Sequence, residues 1–161
     1  MIVVSNTSPL TNLAAIGQFT LLRDLYSQLH IANGVWAELN AYGQVWPGTI
    51  EVGNADWITR APVENAPLTA TLRRDLDRGE AESIALALTL NAELLLLDEK
   101  DGRHAAQRLG LRVVGTLGIL LEAKQKGLLP AIHPLLDALR QQAGFYVSNR
   151  VYHHLLELAD E

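Results

Sequence analysis

The chain has 161 residues, a formal net charge of −5 and no cysteine. Its length suits one domain with its own core, and 48% hydrophobic against 19% charged residues excludes a disordered chain. The lack of cysteine excludes disulfides and thiolate metal sites, and favours a reducing, cytoplasmic location. We expect no membrane span, because no apolar run reaches the roughly 18 residues that one needs.

Short apolar runs alternate with helical stretches from one end of the chain to the other. Strands are predicted at residues 2–4, 28–32, 57–59, 94–97 and 113–114. Helices are predicted at residues 9–16, 19–25, 34–41, 68–76, 80–90, 102–109, 116–125 and 130–142, with a last, peripheral helix at about 148–159. This alternation predicts a single α/β domain over residues 1–161, with a central parallel sheet between two layers of helices.

Turn and cap residues mark several boundaries. Ser8 before Pro9 predicts that the first helix begins at Pro9 with Ser8 as its N-cap. The Arg-Gly pair at 78–79 is predicted to end one helix, so that Glu80 opens the next and most strongly helical segment. Residues 46–48, Trp-Pro-Gly, predict a turn.

Two of the predicted strands end directly on a polar or acidic side chain. Asn6 follows the first strand, and Asp98 follows the four leucines at 94–97. In open parallel sheets, ligands collect at the carboxyl ends of the strands. Glu38 and Glu80 lie between these positions on predicted helices. Because Mg²⁺ and Mn²⁺ prefer oxygen ligands, the pattern suggests carboxylates that converge on a hard divalent cation.

Each candidate residue also has an ordinary structural interpretation. Asn6 suits an Asx turn, Glu80 suits the positive end of a helix dipole, and Glu38 suits a solvated helix surface. Asp98 is the firmest candidate, because an acid directly after four leucines must lie at a strand end. Glu82, two residues beyond Glu80, is expected to point to another face of the helix.

Five segments, in this order along the chain, together resemble the PIN-domain family, and most closely a branch related to VapC-type toxins. They are Ile2–Leu10, Val35–Leu39, Arg78–Ala87, Leu95–Asp98 and Val114–Leu120. The resemblance implies a metal-dependent endoribonuclease with a central parallel sheet. It also implies Mg²⁺ or Mn²⁺ as cofactor, RNA as substrate and an antitoxin protein as partner.

Position by position, the resemblance places the catalytic and metal-binding residues at Asn6, Glu38, Glu80 and Asp98, with Asp101 as a possible extra acid. The family usually has Asp at the first of these positions. An amide oxygen can coordinate a cation but adds no charge, so Asn6 should lower the affinity for metal.

Three functions remain open at this stage. The first is the endoribonuclease, as the toxin of a toxin–antitoxin pair. The second is a degenerate PIN domain that binds RNA or a protein partner without cleaving, which Asn6 motivates. The third is a doubly wound phosphatase or receiver-like domain, which Asn6 disfavours because such proteins normally have an Asp after an early strand.

The second half of the chain also predicts a homodimer. Its helices carry more leucine than one small sheet is expected to bury, and exposed apolar patches usually mark interfaces. The leucines in question are Leu117, Leu120, Leu121, Leu128, Leu129, Leu135 and Leu136.

Overall fold

Five parallel strands form the centre of the protein. The computed structural model describes residues 1–161, apart from the side chain of Tyr42. The strands are β1 (Val3–Ser5), β2 (Leu29–Ala32), β3 (Ile58–Ala61), β4 (Leu94–Leu96) and β5 (Val113–Val114). Their order across the sheet is β3-β2-β1-β4-β5, and every neighbouring pair is parallel. The predicted central parallel sheet is confirmed.

Helices connect the strands and cover both faces of the sheet. They are α1 (Thr7–Ala15), α2 (Leu21–Tyr26), α3 (Asn33–Leu39), α4 (Thr49–Asn54), α5 (Ala66–Leu72), α6 (Arg78–Thr89), α7 (Lys100–Arg108), α8 (Thr116–Gln125), α9 (His133–Gln142) and α10 (Asn149–Leu158). A short 3-10 helix spans Ala41–Gly43. Among the described residues, no helix is both long and apolar enough to cross a membrane.

The core is divided by the sheet into two clusters. Val3 and Leu96 belong to one cluster, together with residues of α1, α2, α8, α9 and α10. Val4 and Leu95 belong to the other, together with residues of α6 and α7. Successive strand residues point to opposite faces, and both faces are buried, so the strands are continuous apolar runs in the sequence. The three-layer α/β/α arrangement follows from this double burial.

Most leucines of the second half lie in this core. Leu128 is 42% exposed. The other leucines on which the dimer prediction depended are buried in, or packed against, one core cluster: Leu117, Leu120, Leu121, Leu129, Leu135 and Leu136. The sheet therefore uses more apolar helix surface than the sequence suggested, and the homodimer stays a prediction without this support.

Two local predictions were wrong near the beginning of the chain. Helix α1 begins at Thr7 rather than at Pro9, so Ser8 lies within its first turn and is not the N-cap. Asn6 holds the N-cap position in an extended conformation, without a capping bond from its side chain. Helix α4, which directly follows the predicted turn, was not expected, because six residues are too few to show a helical period.

Candidate active site

The carboxyl ends of β1 and β4 meet at the middle of the sheet. The chain passes from β1 outward to β3 on one side, and then returns to place β4 and β5 on the other side. Ligands bind in the crevice at such a switch point in open α/β sheets. The N–H of Asn6 donates to the carbonyl of Leu96 over 2.9 Å, which joins the two strand ends. Asp98 follows two residues later.

Asp98 is held in place by hydrogen-bond donors from two helices. The N–H of Thr116 donates to Oδ1 over 2.7 Å, and its hydroxyl donates to Oδ2 over 2.8 Å. The amide of Asn12, on α1, donates to Oδ2 over 3.3 Å. Burial raises the pKa of Asp98 above its usual range, although these hydrogen bonds and the charge of Arg103 act in the opposite direction. The donors therefore fix the orientation of the carboxylate and favour its ionised form.

Helices α3 and α6 are joined by two reciprocal hydrogen bonds, in which a glutamate of each helix accepts from a backbone N–H of the other. Glu38 of α3 accepts a hydrogen bond from the N–H of Gly79 over 2.9 Å, and Glu82 of α6 accepts one from the N–H of Gly34 over 3.0 Å. Each glycine is the second residue of its helix, where N–H groups lack partners within the helix and the dipole favours an anion. The two helices thus run in opposite directions, and each places a carboxylate at the start of the other.

Glycine is required at both contacts because the carboxylates approach so closely. A Cβ atom on Gly79 would lie 2.5 Å from Oε1 of Glu38, and one on Gly34 would lie 2.9 Å from Oε2 of Glu82. The second oxygen of Glu38 accepts a hydrogen bond from the hydroxyl of Thr7, the first residue of α1. Both oxygens of Glu38 are therefore bonded to protein donors, and Glu82 has a structural role.

Glu80 differs from the other candidates because the described residues donate no hydrogen bond to its carboxylate. Its N–H donates to the side chain of Asp77 over 2.8 Å, and this N-cap starts α6 at Arg78 rather than at Glu80. Burial, a carboxyl–carboxyl contact with Asp77 and the negative charges of Asp77, Glu99 and Glu38 together raise the pKa of Glu80 to about 8. A bound cation would offset the repulsion among these acids and favour the ionised form of Glu80.

Asn6 is buried against the same stretch of α6. Its side chain is 4% exposed, and its Oδ1 accepts a long hydrogen bond of 3.5 Å from the hydroxyl of Ser83. Ser83 lies one helical turn beyond Glu80, so the two residues share a face of α6. Asn6 makes no Asx-type capping bond, which leaves its amide directed at the helix that carries Glu80.

The four candidate residues thus lie at one edge of the sheet, but they do not surround a single point. Among the described residues, no group of three or more acidic or histidine side chains is close enough to hold a metal ion. Asp98 is oriented towards Thr116, and Glu38 towards Gly79. The expectation that Asp98, Glu80 and Glu38 lie within reach of one cation is therefore not met, and an ion shared by all three requires side chains to move.

The chemistry of the donors nevertheless fits a hard divalent ion. Every candidate ligand atom is a carboxylate or amide oxygen, which is the donor type that Mg²⁺ and Mn²⁺ prefer. A carboxylate oxygen that accepts one hydrogen bond keeps lone pairs for a metal. Glu80, with its acidic neighbours, is the residue that gains most from a bound cation, and Asp98 and Asn6 complete the candidate set.

Several residues that shape the site were not predicted. Asp77 could have been found from the Asp-x-x-Glu pattern that it begins, because this pattern marks the start of a helix. Thr116 could have been found from its position just after β5, which matches the position of Asp98 just after β4. Glu99, directly after Asp98, was not predicted to act on the site, but its charge acts on Glu80. Asn12 has no local signal, because its contact exists only after folding. Asp101 lies exposed in the first turn of α7.

Comparison with known proteins identifies the family. The family model DUF3368, described as a PIN domain, matches residues 2–161, so the chain belongs to this PIN-domain family. Its fold is similar to that of a PilT N-terminus domain protein from the hyperthermophilic archaeon Sulfolobus solfataricus P2. That similarity has a TM-score of 0.54 at 17% identity and covers 92% of this chain and 99% of the other. No curated protein sequence matches. PIN domains are in general metal-dependent nucleases, and usually use divalent metal ions.

Proposed function

We propose that this protein is an endoribonuclease that depends on Mg²⁺ or Mn²⁺ and acts as the toxin of a toxin–antitoxin pair. The observation that carries the proposal is the position of Glu80. Its buried carboxylate has acids rather than cations as its strongest neighbours, and it lies beside the switch point where β1 and β4 end. Such a site attracts a cation, and a cation is what a polyanionic substrate needs to approach it.

In this proposal, some residues of the site bind the metal ion and others position them. Glu80, Asp98 and Asn6 would hold the metal ion. When bound, the ion supplies an activated water and stabilises negative charge on the scissile phosphate. Thr116 and Asn12 orient the carboxylate of Asp98 and favour its ionised form against the effect of burial. These hydrogen bonds come from two different helices, so the carboxylate does not have to be ordered when substrate arrives.

Glu38 has a supporting role in this proposal. Its carboxylate bridges Thr7, directly after Asn6, and Gly79, directly before Glu80. It therefore joins the two segments that carry candidate ligands. A cavity of about 290 Å³, lined by Thr7, Asn12, Glu38 and Trp46 among others, gives access to this side of the site. RNA is the expected substrate because the family membership implies a nuclease.

Metal binding and RNA cleavage test this proposal together. The assays are a calorimetric Mn²⁺ titration and cleavage of a generic single-stranded RNA, with and without EDTA. We expect the unmodified protein to bind Mn²⁺ and to cleave only when metal is present. The variants Glu80→Gln and Asp98→Asn should lose both properties. Glu157→Gln, the same change at an exposed position on α10, is the matched control.

Other outcomes select other functions. RNA binding without cleavage under any metal condition would identify a degenerate PIN domain. Phosphate release from small phosphoesters, without RNA cleavage, would favour the phosphatase class. For the toxin role, induced expression in a bacterial host should arrest growth, and Glu80→Gln should relieve the arrest. An antitoxin should be encoded by a neighbouring gene, and its co-expression should restore growth with the unmodified protein.

A further inference from the structure

A second cavity opens on the other side of Asp98. It has a volume of about 350 Å³, and its lining includes Asp98, Arg103, Gly115, Phe145 and Tyr146. Asp98 is thus a wall of this cavity as well as a candidate metal ligand. Whatever binds in the cavity lies directly beside the proposed reaction site.

Tyr146 is an exposed aromatic residue on a backbone that is fixed on both sides. It is 86% exposed, the highest value among the large hydrophobic residues whose side chains the structure describes. On one side, the N–H of Phe145 donates to the carbonyl of Leu139 over 3.0 Å. On the other side, Val147 is buried and its carbonyl accepts two hydrogen bonds from the guanidinium of Arg140, over 3.2 and 2.8 Å. The ring is therefore presented to solvent by a held segment between α9 and α10.

Arg103 brings a positive charge to the same cavity. A Cβ atom on Gly115 would lie 3.1 Å from its Nη1 and 2.9 Å from Oδ1 of Asp98, so the guanidinium and the carboxylate both lie over this glycine. Among the described residues, the guanidinium makes no ion pair and no hydrogen bond. Lys100 and His104 line a neighbouring cavity on the other side of Arg103. The donors of Arg103 are thus available to an anion.

We propose that this cavity binds one nucleotide of single-stranded RNA next to the scissile phosphate. The base stacks on the ring of Tyr146, and a backbone phosphate accepts hydrogen bonds from Arg103. Single-stranded nucleic acid is recognised in this way, by aromatic rings for the bases and by cationic side chains for the phosphates. Stacking is tolerant of sequence, so the subsite should position the strand without selecting a base. This inference rests on the proposed function, because it assigns RNA as the ligand.

The experiment measures RNA binding in EDTA, so that cleavage does not enter the result. The probe is a fluorescein-labelled single-stranded RNA decamer, and the readout is fluorescence anisotropy. Tyr146→Ala should weaken binding by at least about five-fold, the lower limit for loss of one stacked base. Tyr146→Phe keeps the ring and should bind as the unmodified protein does. Leu109→Ala removes another exposed apolar side chain, just beyond the end of α7, and is the control for a non-specific effect of such a loss.

A second pair of variants tests the phosphate contact. Arg103→Gln should weaken binding and make it less dependent on salt, because a phosphate contact releases a counterion. Arg108→Gln makes the same charge change on the exposed last turn of the same helix, and should have the smaller effect. Circular dichroism of each variant establishes that it is folded.

The outcomes for the subsite and for the enzyme are separable. Unchanged binding by folded Tyr146→Ala, or no RNA binding by the unmodified protein, would overturn the subsite. In the first case, metal-dependent cleavage by the unmodified protein would still support the nuclease. Conversely, binding that depends on Tyr146 without cleavage in Mn²⁺ would support the subsite and reject the nuclease. Binding that is equally sensitive to Tyr146→Phe would contradict stacking, because Phe keeps the aromatic face.

Discussion

The hydrogen bond from the N–H of Gly79 on α6 to the carboxylate of Glu38 on α3 leads to a specific prediction. In Gly79→Ala, the new Cβ atom would lie 2.5 and 2.6 Å from the two carboxylate oxygens of Glu38, so the carboxylate must move away. It then loses the N–H···O bond of 2.9 Å. Such a bond to a charged group contributes roughly 1.5–3 kcal/mol, against a gain of up to about 1 kcal/mol from replacing helical Gly by Ala. We expect the free energy of unfolding to fall by about 0.5–3 kcal/mol.

A matched variant separates the contact from the backbone effect. Gly53 is also helical, but a Cβ atom there meets only Trp36, at 3.9 Å. Gly53→Ala should therefore be neutral or stabilising by up to about 1 kcal/mol. The assay is urea unfolding of both variants at pH 7 without divalent metal, followed by far-UV circular dichroism. Equal unfolding midpoints for the two variants would refute the reasoning.

A double-mutant cycle adds a second check on the same contact. In a Glu38→Ala background there is no carboxylate to displace, so Gly79→Ala should lose its destabilising effect and resemble Gly53→Ala. If Gly79→Ala costs the same with and without Glu38, the cost arises from the backbone of α6 and the carboxylate is not held as described.

Further predictions concern the site and one distant hydrogen bond. Asn6→Asp adds a buried charge, so it should tighten Mn²⁺ binding and increase metal-dependent cleavage but lower the melting temperature without metal. If calorimetry, cleavage and melting are all unchanged, Asn6 is only a turn residue and not a metal ligand. Thr116→Val removes the hydroxyl that donates to Asp98 over 2.8 Å, and should lower the free energy of urea unfolding by about 1–3 kcal/mol; an unchanged value would mean that solvent replaces this bond. Burial and the neighbouring Glu122 raise the pKa of Tyr26, so above about pH 10 only the unfolded chain releases this proton. Stability should therefore fall with rising pH more steeply in the unmodified protein than in Tyr26→Phe. Melting temperatures that fall equally in the two proteins between pH 9 and 11 would contradict this.

The sequence by itself determined the architecture and the edge at which the site lies. Short apolar runs separated by helices are enough to predict parallel strands, because a parallel connection needs a crossover and its strands are buried on both faces. The end of a strand is also visible locally, so Asp98 and Asn6 could be assigned to the carboxyl edge. The nature of the donors, carboxylate and amide oxygens, follows from the residue types and needs no coordinates.

Only the tertiary structure decided which groups these side chains contact. Asn12 and Asp98 are 86 positions apart, and they meet because the sheet places β1 beside β4. Periodicity within a segment carries no information about that order. In the same way, Glu38 is bonded to Gly79, 41 positions away, because α3 packs against α6 in the opposite direction. The sequence could therefore propose the acids, but the packing of distant elements determined that protein donors hold Glu38 while Glu80 is left among other negative charges.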